Sequence, residues 1–252
     1  MAKSLNIAIC VLSFDGFSDL WGPFFEQFFE AWPSCPYPIY LIANHKKHDD
    51  SRMVTIQTGD DIDWSTNLHS ALKSIKEERI LFIFDDFFLV DINLEQLQMH
   101  FEQAEKNDWP YLALYPNNYR EDRVEESVRK INKDGVYCCT LVYGLIRKNY
   151  IEKLLKKGES AWQFEINVGQ RLGPETLLSV DKRVFRHRHL LRKGVWMRRG
   201  YNLMKKKNYP IDKSRPLETR WAFIVREAKE FLFRQYHRRL PPRTIARLER
   251  RR

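Results

Sequence analysis

The sequence has no stretch approaching the roughly 18 uninterrupted apolar residues that a membrane-spanning helix needs. Its four cysteines, Cys10, Cys35, Cys138 and Cys139, show neither CxxC nor Cys/His finger spacing. That argues against a zinc module and against a disulfide framework, and makes a reducing compartment the simpler assumption. No internal repeat or low-complexity segment is present. The opening MAKSLNIAICVLSFDG resembles a secretory leader only superficially: Asn6 interrupts it, no small-residue cleavage pattern follows, and Asp15 ends it. It reads as a first strand. Acidic residues are scarce at one end only. Residues 183–252 hold 5 Asp/Glu against 23 Lys/Arg (+18), whereas 1–182 hold 28 against 20 (−8), within a net charge of +10. The chain is therefore an acidic body with a strongly basic tail, and 43% hydrophobic residues exclude a wholly disordered protein. A length of 252 residues allows one large domain or a domain with an appendage.

What is present is organised around Arg79–Val90, RILFIFDDFFLV. A run of apolar residues stops at two adjacent carboxylates, Asp85 and Asp86. Such a run predicts a strand buried on both faces, at the centre of a helix-covered parallel sheet, with the acids at its C-terminal end. Ligands of open α/β sheets bind at that edge. Paired carboxylates there suit a hard divalent cation, Mg²⁺ or Mn²⁺, shared with substrate phosphates. The residues alone thus point to a nucleotide-dependent transferase.

Around that stretch, Leu5–Ser13 predicts strand one and LWGPFFEQFFEAW a helix capped by Ser18 or Asp19, with Pro23 in its first turn. Tyr37–Ala43 predicts a second strand, Met53–Gln57 a third, Trp64–Glu77 a helix, Leu94–Lys106 another, and Trp109–Tyr115 a further strand. Asn117–Glu126 reads as a mobile or acceptor-side loop, and Val128–Ile131 with Val136–Thr140 as a hairpin turning at Asp134-Gly135. Leu141–Ile146 continues as strand, followed by helices at Asn149–Lys157 and Trp162–Arg171. Val184–His189 predicts a last strand, and Leu217–Leu240 an amphipathic basic helix with Trp221, Ile224, Val225, Ala228, Phe231 and Leu232 on one face and Arg220, Arg226, Lys229 and Arg234 elsewhere.

Taken together, Ser18–Trp21, Trp32-Pro33, YPIYLIAN (37–44), Trp64–Leu72, ILFIFDDFFL (80–89) and GESAWQFE (158–165) resemble the ordered segments of GT-A-fold nucleotide-sugar glycosyltransferases, of the bacterial capsule and lipopolysaccharide type. The resemblance implies a GT-A-like (Rossmann-like) central mixed sheet flanked by helices over residues 1–190, with a basic helical extension over 191–252. It implies an inverting, hexosyltransferase-like transfer from a nucleotide sugar to a glycan or lipid-linked glycan. The GT-A signature Asp-x-Asp departs here at its third position, Phe87, which assigns Asp85 to ribose or sugar hydroxyls and Asp86 to any Mn or Mg ion. The resemblance places a further metal ligand at His187 or His189. It puts Ser13, Asp15 and Asn44 where the nucleotide base and ribose are gripped, and Trp64 and Ser65 at a helix start facing the same crevice, where free backbone amides favour anions. Each has an ordinary alternative: staple for Trp64, N-cap for Ser65, turn former for Asn44. Glu165 is the expected base, since a carboxylate among Trp162, Phe164 and Ile166 is partly desolvated and gains proton affinity. Its alternative is a cap or salt bridge within its own helix.

The basic tail offers a competing class, a nucleic-acid-binding module in which Trp196, Tyr201, Tyr209 and Trp221 stack on bases. The acidic body and the lack of a nucleic-acid motif argue against it. An anionic membrane surface fits better, with Trp221, Phe223, Phe231 and Phe233 at the interface and the enzyme peripheral on the inner, cytoplasmic face. A catalytically inactive sugar-nucleotide-binding subunit is the third reading.

Overall fold

The structure, a computed structural model, describes residues 5–249, without the side chains of 233, 234, 236–239, 246, 248 and 249. The side chains of Phe233 and Arg234 invoked from sequence lie outside the described residues. The fold is the expected α/β class, with a central mixed sheet flanked by helices.

The N-terminal half winds as β1 (Ile7–Leu12), α1 (Ser18–Ala31), β2 (Ile39–Ala43), β3 (Val54–Gln57), α2 (Trp64–Leu72) and β4 (Arg79–Phe84). All four strands are parallel, in spatial order β3-β2-β1-β4. β1 explains why its sequence is apolar throughout: Ile7, Ile9 and Val11 face one layer, Ala8, Cys10 and Leu12 the other, and all six are buried. The first layer holds α1 through Trp21, Phe24, Phe25 and Phe28. The second holds α2 through Leu68, Ala71 and Leu72. α1 begins at Ser18, after a short 3₁₀ turn, so Pro23 falls in the second helical turn rather than the first.

After β4 the chain turns at Asp85-Asp86, and β5 (Phe87–Ile92) leaves the main sheet. α3 (Leu94–Lys106), β6 (Tyr111–Ala113), β7 (Arg120–Glu125), β8 (Val128–Ile131), β9 (Gly144–Arg147), α4 (Lys148–Leu154), α5 (Ala161–Asn167) and β10 (Leu178–Val180) complete the body. β9 inserts antiparallel between β4 and β6, and the sheet continues β6-β10-β8-β7. β11 (Phe185–His189) pairs antiparallel with β5, with a bulge at Arg186/His187, and closes over the end of the main sheet.

The expected hairpin is displaced. Arg120–Glu125, read as a loop, is the outermost strand, pairing with β8, while Val136–Thr140 is not a strand. β7 has almost no buried side chain, and charged residues on an edge strand deter edge pairing, so its polarity imitates a loop. Val136, Cys138 and Cys139 are apolar because they pack under the sheet as irregular chain.

Beyond β11, the expected basic helix of the extension is joined by a small folded unit. β12 (Leu191–Arg192) and β13 (Val195–Trp196) form a hairpin whose two-residue loop, Lys193-Gly194, has φ of 51° and 76°. Positive φ at both loop positions is what a type I′ turn requires. α6 (Arg198–Lys206) follows, then α7 (Arg220–Arg239) and α8 (Pro242–Glu249). Leu190, Leu191, Trp196 and Met204 share a cluster with Leu20 of α1 and Phe88 of β5. Ile245 of α8 returns to pack with Tyr119, Val136 and Ile166.

Candidate functional site

The sheet changes its direction of winding between β1 and β4, since β2 and β3 extend to one side of β1 and β4 lies on the other. Such a switch point opens a crevice at the C-terminal ends of the two strands. Register places Leu12 opposite Phe84, so the next residues, Ser13 and Asp85, meet at that edge. The Ser13 hydroxyl donates to Asp85 Oδ2 at 2.5 Å and accepts from Trp21 Nε1 at 2.6 Å. Asp85 is only 2% exposed. Burial, and then the neighbouring Asp86, push its carboxyl well above the ordinary range against the pull of the Ser13 hydroxyl.

Asp86 is half-buried, and burial raises its carboxyl to about 7. Neither acid has an ion-pair partner among the described residues. Two adjacent, unneutralised acids oppose each other's ionisation, which a cation or a shared proton relieves.

Around Asp86 stands a set of rings that local sequence did not single out as one site. Tyr143, just before β9, is fully buried, stacks on Phe185 at 4.3 Å, and lies 5.4 Å from the His187 ring. Its phenol is pushed well up by burial and then by the Asp86 charge, which places it within electrostatic reach of that carboxylate. Phe87 packs on His187 at 4.7 Å and on His189 at 3.9 Å, and Tyr115, just after β6, lies 6.0 Å from His187. The Tyr143 hydroxyl and His187 Nδ1 are both buried without a hydrogen-bond partner. Unpaired buried polar atoms are costly, and one of the two, the Tyr143 hydroxyl, belongs to a ring that feels the Asp86 charge. Burial holds both His187 and His189 down to about 4, leaving neutral imidazoles with a free lone pair at neutral pH.

Asp15 and Asn44 are brought together, but onto each other. Asp15 N donates to Asn44 Oδ1 at 3.2 Å, and the backbone N–H groups of Asn44, His45 and Lys46 donate to the Asp15 carboxylate at 3.0–3.1 Å. Partial burial opposes ionisation of Asp15, yet these backbone donors hold its carboxyl below the usual range. The pair ties the loop after β1 to the loop after β2. Arg215 of the extension packs near the start of α1, reaching Asp19 Oδ1 at 2.5 Å and stacking over Phe17.

The start of α2 is capped by Asp63, which accepts from Thr66 N at 2.8 Å. The Asp63-x-x-Thr66 spacing carried that signal. Ser65 is buried, donating to Lys156 O at 2.6 Å and Asp63 Oδ1 at 2.7 Å, and Trp64 packs on Phe164 at 5.5 Å. Glu165 Oε1 accepts from Thr140 Oγ1 at 2.6 Å and Leu141 N at 2.9 Å. Burial raises its carboxyl, and these two donors partly oppose the rise. Trp162 is exposed, whereas Thr140, Leu141 and Tyr111 lie near the carboxylate. The 137–141 segment leads within two residues to Tyr143, which links Glu165 to the Asp86 edge without direct contact.

Among the described residues, no group of three His, Cys, Asp or Glu side chains is arranged to hold a metal. The expected metal ligands Asp86 and His187 are thus not gathered with a third such group, although His187 Nδ1 is buried and unpaired. Two hollows lie elsewhere: about 430 Å³ between Trp196, Pro216, Glu218 and Arg226, and about 310 Å³ near Glu121, Lys130 and Thr176.

No protein-family model matches the sequence, and no match to a curated protein was found. Solved structures similar in fold include Staphylococcus aureus TarS 1-349 in complex with UDP-GlcNAc (10% identity, 82% of this chain and 68% of that one, TM-score 0.49). Another is UDP-glucose pyrophosphorylase complexed with UDP-glucose (9% identity, 72% and 92%, TM-score 0.47). A third is mannose-1-phosphate geranyltransferase from Thermus thermophilus (14% identity, 74% and 76%, TM-score 0.47). The chain spans 59% of TarS 1-349 without ligand and 36% of the longer TarS chain. At such identities and TM-scores these likenesses carry no argument about activity.

Proposed function

We propose that the chain is a glycosyltransferase that moves a sugar from a nucleotide-sugar donor to a glycan or lipid-linked glycan acceptor, with inversion. The observation that carries this reading is the Asp85-Asp86 pair at the β1/β4 switch point, without a cation partner among the described residues and with the Tyr143 phenol within reach of the Asp86 charge. Asp85, oriented by Ser13 and Trp21, accepts or donates toward donor hydroxyls. Asp15 and Asn44 hold the two loops where base and ribose lie. Were a divalent cation bound with the donor, Asp86 and His187 are the residues that would hold it, and it would supply Lewis-acid stabilisation of the leaving diphosphate. Trp64 and Ser65 hold the start of α2 against α5 and the α4–α5 connection. Glu165, aimed by Thr140 and Leu141, takes the acceptor O–H proton as that oxygen bonds to the anomeric carbon. The bond from that carbon to the diphosphate breaks, its electron pair leaving with the nucleoside diphosphate.

The test begins with a thermal-shift screen of nucleotide sugars with and without Mn²⁺, since a ligand of the folded state raises apparent stability. Nucleoside diphosphate release is then measured for the donor that binds. Asp86→Ala is expected to abolish turnover with the fold intact, and Glu165→Gln to bind donor but lose transfer. Near-wild-type transfer by Glu165→Gln removes it as the base. Tight donor binding without turnover on any acceptor favours an inactive sugar-nucleotide-binding subunit.

A further inference from the structure

α7 is an amphipathic helix mounted with its apolar stripe outward. Trp221, Ile224, Phe231 and Leu232, spaced for one helical face, are 74%, 56%, 56% and 55% exposed. The opposite face carries Arg226, only 9% exposed, whose guanidinium reaches Glu218 at 2.8 Å, Glu227 at 2.9 Å and Glu230 at 3.0 Å. Arg199 pairs with Glu227 at 2.8 Å and Arg198 Nη2 donates to Glu218 O at 2.6 Å, so ionic contacts with α6 and the α6–α7 connection fix the rotation of α7. A surface helix of a soluble domain normally does the reverse, burying its apolar stripe and exposing its ions. The apolar period of α7 therefore has no explanation in contacts within the described chain. Four large apolar side chains on one outward stripe form the kind of patch that marks an interaction surface.

The charge around the stripe identifies what covers it. Arg220 and Lys229 are exposed on α7 itself, and the segment from 183 onward carries +18. A second copy brings the same positive charge to the contact and is repelled. An anionic bilayer meets both requirements, offering acyl chains to Trp221, Ile224, Phe231 and Leu232 and negative headgroups to the flanking cations. No described helix is long and apolar enough to cross a membrane, so the geometry is that of a helix lying in the interface.

We propose that α7 docks this protein on an anionic lipid bilayer through its outward Trp221–Leu232 stripe. Only the corollary, that the acceptor is drawn from the bilayer, rests on the transferase reading; vesicle binding requires no turnover, so the two fail separately.

The experiment is co-sedimentation of the full chain with phosphatidylcholine vesicles and with vesicles containing about 30% phosphatidylglycerol. The wild-type chain is expected to pellet with the anionic vesicles, less so at high salt, and weakly with neutral ones. Trp221→Ser combined with Phe231→Ser should weaken that binding by about tenfold or more, as should Arg220→Glu with Lys229→Glu. Far-ultraviolet circular dichroism and the thermal midpoint should be unchanged in both, because all four side chains are exposed. Failure of the wild-type chain to bind anionic vesicles overturns the proposal, as does equal binding by the apolar variant. A lipid-free dimer in analytical ultracentrifugation that the apolar variant dissolves also overturns it, and assigns the stripe to a second copy.

Discussion

α1 and α7 carry similar aromatic inventories and face opposite ways. α1 turns Trp21, Phe24, Phe25 and Phe28 into the layer formed with β1 and β2, whereas α7 turns Trp221, Phe231 and Leu232 out and Arg226 in. The difference lies in what each helix rests on. Under α1 are Ile9, Val11, Ile39 and Leu41; under α7 are Glu218, Arg198 and Arg199. A hydrophobic period defines a stripe, and the surface beneath decides which side of the helix meets protein. The two regions also treat buried charge differently. Arg226 is surrounded by three carboxylates, while Asp86 has no counter-ion among the described residues.

The strongest way to break the comparison is Phe28→Ala in α1. It leaves a cavity in the main core and is expected to cost about 3–5 kcal/mol of unfolding free energy, read by denaturant titration. A loss below about 1 kcal/mol would mean that α1 is no better seated than α7. Next is Arg226→Ala, which strands Glu218 against α6. A cost of about 2–3 kcal/mol is expected, seen as faster proteolysis between 207 and 240 with the body intact.

The unpaired acid gives a smaller, pH-dependent effect. Burial raises Asp86 to about 7, so the folded chain holds that proton more tightly than the unfolded chain. Its stabilising contribution is complete below the ordinary carboxyl value and is lost as pH rises through about 7. In the ligand-free chain Asp86→Asn should therefore stabilise by about 1–2 kcal/mol at pH 8, after allowance for the water that reaches a half-buried group, and have little effect at pH 4. A thermal midpoint that moves equally at both pH values would show that the carboxylate is not desolvated. Trp221→Ser should change stability least, by no more than about 0.5 kcal/mol in buffer. A larger loss would show that the stripe packs against this chain after all.

Much of the frame was legible before any fold was in hand. Leu5–Ser13 read as a strand and Arg79–Phe84 as a buried one, since both faces of each are covered, and Asp85-Asp86 stood out because polarity changed abruptly. Residues 120–125 did not read as strand, because a solvent-exposed edge leaves no apolar alternation. The ring cluster at Tyr115, Tyr143 and Phe185 was not legible either. Its members come from three different elements, and Tyr143 sits at φ 54°, which no local pattern announces. Ser13 and Asn44 were singled out as ligand contacts, and the structure gives each a partner inside the chain: Asp85 and Asp15.

Period, polarity and charge are properties of neighbours along the chain, and they were enough to define most strands and helices of the N-terminal half, where the acids fall, and that the tail is basic and carries an amphipathic helix. Contacts between residues 72 positions apart, such as Ser13 with Asp85, and the rotation of α7 about its own axis depend on sheet register and on the surface a helix lands upon. Those are decided by packing free energy summed over the whole molecule, and no local stretch contains it.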